Sequence, residues 1–188
     1  MKAGIINLNS GNLLSIVSAV DKCGFETTVI NEPQTGFDVL VMPGQGRFGY
    51  VSQQLENHNW REFILDWIAQ GKHIVGICVG MQLLFEDSVE DESAKGLAVF
   101  PGSVEKLKHE KTPMVGWAQL TSNDEFYSQQ FVYFVNSYGV ANSDYCIASV
   151  NYGEKFCAIV QKDNVIGFQF HPEKSGDYGL ELLKKCLN

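Results

Sequence analysis

Basic residues are scarce: the 188-residue chain carries 14 Lys and Arg against 22 Asp and Glu, a formal net charge of −8. That balance excludes a general basic field for nucleic acid or an anionic membrane, while leaving a local patch open to an anionic ligand. Cysteines are few, odd in number and scattered, at Cys23, Cys78, Cys146, Cys157 and Cys186, with no CxxC among them. The pattern suits neither a disulfide framework nor a zinc cluster, and it points to a reducing, cytoplasmic setting without a bound metal or cofactor. Long apolar runs are missing too. Nowhere do about 18 apolar residues follow one another, and the opening MKAGIINLNSGN lacks the apolar stretch of a secretory signal. Internal repeats and low-complexity tracts are absent as well. With 45% hydrophobic residues, the chain is expected to bury one core and to form a single domain over residues 1–188.

What is there alternates. KAGIINL reads as a strand, followed by Leu13, Ile16, Val17 and Val20 at helical spacing and by Gly24 as a helix stop. TTVI and DVLVM read as strands, Phe63, Ile64, Trp67 and Ile68 as the inner face of a helix ending near Gly71, and KHIVGI as the next strand. Continuous apolar strands between amphipathic helices predict an α/β fold: a three-layer arrangement with a mainly parallel central sheet and helices on both faces. After Ser88 the rhythm changes. GSVEKL, GWAQL, FVYFVNSY, YCIASV, FCAIVQ and VIGFQF follow with only turns between them, so the second half is expected to append β-hairpins before a terminal helix over 177–187.

The stretch GICVGMQLLFE sets Cys78 at the end of a strand, between Gly76 and Gly80 and before a helix-forming run. A sharp strand-to-helix turn lifts a nucleophile and needs small neighbours where strand and helix pass close, and the amide after it, here Val79, contributes to an oxyanion hole. The start of a helix also favours thiolate over thiol. The plain alternative is a small buried cysteine. A thiol nucleophile needs a base, and there are four histidines. His58 and His109 sit in polar stretches and His73 starts the strand that Cys78 ends, so His171, at the end of VIGFQF, is the candidate. Glu173, across Pro172, is placed to orient the imidazole.

GICVGMQLLFE together with GFQFHPEKS resembles the class I glutamine amidotransferases. NLNSGNLLSI, VMPGQGRFG, GLAVFPGSVEKL, PMVGWAQL and VYFVNSY extend that resemblance over nearly the whole chain, in the order found in the glutaminase subunits of imidazole glycerol phosphate synthase. The resemblance implies a Cys78–His171–Glu173 triad that hydrolyses L-glutamine to glutamate and ammonia. It implies an oxyanion hole from the Gly44, Gln45 and Gly46 segment with Val79, against the alternative of an ordinary Pro-Gly turn. Gln82, Glu90, Ser149, Val150 and Asn151 match glutamine contacts, and for Glu90 a solvated acidic loop is the alternative. Trp117, Tyr138 and Lys174 match positions facing a (β/α)₈ barrel cyclase in a heterodimer, against core packing or plain surface charge. Three positions depart from the family's usual residues: Gln45 in the oxyanion loop, and Met114 and Asn136 near the expected docking face. A paralogue serving a sugar amidotransferase of surface polysaccharide synthesis, or a non-catalytic docking module, would share the same surface.

Overall fold

Six consecutive residues, Val39–Gly44, are buried in one strand, which requires cover on both of its faces. The computed structural model describes residues 1–11 and 13–187. Its first half runs β1 (Lys2–Ile6), α1 (Leu13–Lys22), β2 (Glu26–Ile30), β3 (Val39–Gly44), α2 (Phe48–Asn57), α3 (Trp60–Ala69), β4 (His73–Cys78) and α4 (Val79–Gln82). The second half holds β5 (Asp87–Ser88), β6 (Ser103–Lys106), β7 (Met114–Gln119), β8 (Phe131–Asn136), β9 (Tyr138–Gly139), β10 (Cys146–Tyr152), β11 (Glu154–Lys162), β12 (Val165–Phe168) and α5 (Gly176–Leu187).

The main sheet has the order β10-β11-β12-β4-β3-β1-β2. β12, β4, β3, β1 and β2 run parallel, while β11 is antiparallel to both β12 and β10. The connection from β1 to β2 moves one way along the sheet and that from β3 to β4 the other. Right-handed crossovers therefore put α1 on one face and the α2–α3 pair on the opposite one. α5 packs beside α1 and completes its layer. This is the expected three-layer α/β arrangement. The reversal falls between β1 and β3, next to β4, and it is at the carboxyl ends of the strands about such a switch point that these sheets take ligands.

Three details differ from the sequence reading. α2 was not anticipated, because its buried Phe48, Val51 and Leu55 are interleaved with the equally buried polar Ser52 and Gln54. The run after Cys78 yields only the four-residue α4. Beyond it, amides of Gly96, Leu97, Ala98 and Val99 bond the carbonyls of Leu83 to Glu86, so a loop replaces further helical bonds. Lastly, β7 and β8 pair only with each other, as a ribbon outside the main sheet, instead of extending it.

Candidate active site

Cys78 is the last residue of β4 and stands at φ 55°, ψ −115° immediately before α4. A side chain in this region carries strain of roughly 1–3 kcal/mol, held by the structure around it. The glycines show what holds it. A Cβ on Gly80 would lie 1.8 Å from the Met42 carbonyl oxygen, and one on Gly76 would lie 2.8 Å from that of Gly80. Strand ends and helix turn are packed backbone to backbone, and the thiol is pushed up between them.

The parallel pairing of β12 with β4 matches Gly167 to Gly76 and Phe168 to Ile77, which carries the residues after β12 to the side of Cys78. His171 arrives there and is pinned by its backbone. Its amide donates to Tyr133 O at 2.9 Å, and its carbonyl accepts from Ser175 Oγ at 2.7 Å. A 3₁₀ turn at Pro172–Lys174 then swings Glu173 back, so that His171 Nδ1 and Glu173 Oε1 are 2.8 Å apart in a buried pair. Cys78 stands in the same cavity wall as this ring and acts on it electrostatically. Burial opposes charge on the imidazole, but Cys78 and Glu173 together outweigh it, and His171 is pushed up to about 9. The ring is thus an imidazolium at neutral pH, poised to hand on a proton.

These groups open onto a cavity of about 360 Å³, within the usual range for a small-molecule site. Of the expected oxyanion segment, Gln45 and Gly46 line the cavity, whereas Gly44 lies beneath it, paired with Cys78. The Gln45 amide faces the Ser10 hydroxyl at 3.4 Å and is spent there. Val79 is in the cavity wall. So is Glu90, whose Oε2 accepts the Phe48 amide at 2.8 Å at the start of α2, so it is more than a solvated loop residue. Gln82 is buried, with its side-chain nitrogen given to Tyr138 O at 3.1 Å and to Gln169 Oε1 at 3.0 Å.

Ser149, Val150 and Asn151 are not brought to the site. They belong to β10, at the sheet edge and separated from β4 by β11 and β12. Ser149 is tied through its amide and carbonyl to Thr121, and Val150 is buried opposite Phe156. The segment that does lie over the cysteine is Val135–Tyr138, at the end of the ribbon. Sequence reasoning missed its role because it acts through the backbone: the Val135 carbonyl is 3.9 Å from Cys78 Sγ. It also missed Gln169, a fully buried amide between two phenylalanines whose Nε2 is 3.9 Å from the sulfur. A lone polar residue in an apolar run was the available signal.

Tyr138 and Lys174 stand at the cavity, half-buried and exposed respectively. Trp117 is on the ribbon and 55% exposed. Met114 and Asn136 pair with each other on the ribbon's buried side, and Asn136 lines the cavity.

The family model "Glutamine amidotransferase class-I" matches residues 5–188. The chain belongs to this family. As a class-I glutamine amidotransferase it is 43% identical to "Imidazole glycerol phosphate synthase subunit HisH" of Exiguobacterium sibiricum, over 96% of this chain and 92% of that one. It is 34% identical to the subunit of the same name from Thermotoga maritima, over 100% and 96% of the two chains. A solved structure titled "Crystal structure of glutamine amidotransferase" superposes with a TM-score of 0.81 at 18% identity, covering 100% of this chain and 98% of the other, and shares its fold. Among the described residues of this amidotransferase, no helix is long and apolar enough to cross a membrane, and no group of three or more His, Cys, Asp or Glu side chains could hold a metal ion.

Proposed function

We propose that this chain is the glutaminase subunit of an imidazole glycerol phosphate synthase. Residues 1–188 make one amidotransferase domain that converts L-glutamine and water to L-glutamate and ammonia in the cytoplasm. The ammonia passes to a (β/α)₈ barrel cyclase, bound as a heterodimer, that forms imidazole glycerol phosphate and AICAR for histidine biosynthesis. The observation that carries the reading is the strained Cys78, sharing one cavity wall with a His171 ring that Glu173 locks in place.

The chemistry follows from that geometry. Cys78 Sγ attacks the side-chain amide carbon, and the carbonyl electrons move onto oxygen, where the amides of Val79 and Gly46 receive the charge. His171 gives its proton to the departing nitrogen, the C–N bond breaks, and ammonia leaves a glutamyl thioester. Neutral His171 then takes a proton from water, hydroxide adds to the thioester carbon, and collapse breaks the C–S bond, releases glutamate and frees Cys78 for the next turnover. Glu90, in the cavity wall, is placed to take the substrate's α-ammonium group.

The outer face of the ribbon supports the partner assignment. Val115 is 60% exposed and lies opposite Val135, while Trp117 lies opposite Tyr133 and Phe131 opens to solvent beyond them. Each such side chain contributes roughly 1.5–3 kcal/mol when fully covered, and a contiguous exposed strip of this kind marks an interaction surface.

The deciding experiment measures glutamate release from glutamine by the chain alone and with an imidazole glycerol phosphate synthase cyclase plus its nucleotide ligand. Stimulation by the cyclase, abolished in Cys78→Ala, is the expected outcome. Absence of both binding and stimulation would overturn the reading.

A further inference from the structure

Beneath the thiol lies a chain of amides whose direction is set by a group that cannot be reversed. The Tyr138 carbonyl is an acceptor only, so the Gln82 side chain must turn its NH₂ toward it, at 3.1 Å. The same NH₂ is 3.0 Å from Gln169 Oε1, which fixes that end of Gln169 as the acceptor. The opposite end, Nε2, is therefore left to face Cys78 Sγ at 3.9 Å with an N–H. Gln169 is 0% exposed, so its amide has no bulk water as an alternative partner, and Gln82 is 3% exposed. The sulfur has a partner in each of its states. As a thiol it donates to the Val135 carbonyl at 3.9 Å, and as a thiolate it accepts from Gln169.

We infer that Gln169 holds the Cys78 thiolate by donating an N–H to it, and that Gln82 is the positioning residue that keeps the donating end of Gln169 toward the sulfur. The inference deepens the glutaminase reading and rests on Cys78 being its nucleophile. A hydrogen bond to a charged acceptor is about twice as strong as one between neutral groups, so its loss is felt by the thiolate far more than by the thiol.

The test follows the carboxamidomethylation of Cys78 by iodoacetamide in the full chain from pH 5 to 9, read by peptide mass, with the partly exposed Cys146 as internal control. Thermal melting is recorded beside it. Gln169→Met keeps length and removes the donor. It is expected to slow labelling of Cys78 about tenfold at pH 7 and to move its pH profile up by about one unit, with Cys146 unaffected. Gln82→Met leaves the sulfur's neighbour intact and adds no charge, but offers Gln169 no N–H. It is expected to move the profile the same way, and it decides the matter if Gln169→Met does not fold. An unchanged Cys78 profile in folded variants, with melting alone lowered, would overturn the inference and reduce Gln169 to core packing. Failure of the glutaminase reading shows separately, as wild-type chain that is labelled normally yet releases no glutamate with its partner.

Discussion

His171 is held by two neighbours that act in the same sense, the Cys78 sulfur and the Glu173 carboxylate, against burial, which acts in the other. Because the ring is pushed up to about 9, it carries its proton through the neutral range and loses it as pH rises through that value. In the proposed mechanism ammonia departs only with that proton, so kcat/KM for glutamine is expected to stay level to about pH 8 and then to fall. Glu173→Gln removes the carboxylate's share of the stabilisation. The basic limb should then move to lower pH and kcat should drop about 100-fold, and a pH–rate profile of the complex checks both. An unmoved limb would mean that Glu173 does not act on His171. The positions of Cys78 and His171 at adjacent strand ends were legible in the sequence because few residue types suit them: one cysteine between spaced glycines and one histidine closing an apolar strand. Ser10 and Val135 were not. They act through a hydroxyl that accepts an amide and a backbone carbonyl, and neither leaves a residue signature.

At the scale of elements, the elbow depends on α4 lying directly against the ends of β3 and β4. A methyl group on Gly80 would press on the Met42 carbonyl, which is backbone and cannot rotate away. Gly80→Ala is therefore expected to cost about 3 kcal/mol or more and to abolish labelling of Cys78. Gly102→Ala serves as the contrast. Its φ of +108° strains a side chain, yet nothing lies within 4 Å of the added carbon, so the cost should be about 1–2 kcal/mol. Urea midpoints for the two variants measure the difference, and equal losses would show that close packing at Gly80 does not set the elbow. The parallel strands were readable because burial on both faces leaves unbroken apolar runs. The ribbon was readable as strands but not as a separate pair. β7 presents apolar residues on both sides, as a central strand would, and only the tertiary pairing reveals that one side faces solvent.

Across the whole molecule, the exposed apolar face and the nucleophile meet in one residue. Val135 turns its side chain to the outer face of the ribbon, while its carbonyl stands over Cys78 Sγ and the next residues wall the cavity. In the proposed complex a partner seated on the ribbon would therefore bear on the segment that bounds the site. Trp117 sits further along that face, held edge-on against Tyr133 at 5.9 Å and not itself among the residues that line the cavity. In the proposed complex its contribution is expected to be to affinity. Trp117→Ala is expected to raise the dissociation constant for the cyclase roughly 10- to 100-fold while leaving the melting temperature nearly unchanged, because the ring is already largely in water in the free chain. At saturating cyclase the stimulation of glutaminase should return to its full value, because Val135 and the cavity wall are untouched. Calorimetric titration of wild type and variant gives the affinity, and glutamate release against cyclase concentration gives the plateau. An unchanged affinity would move the docking surface off the ribbon, and a lowered plateau would mean that Trp117 takes part in activation as well as in binding.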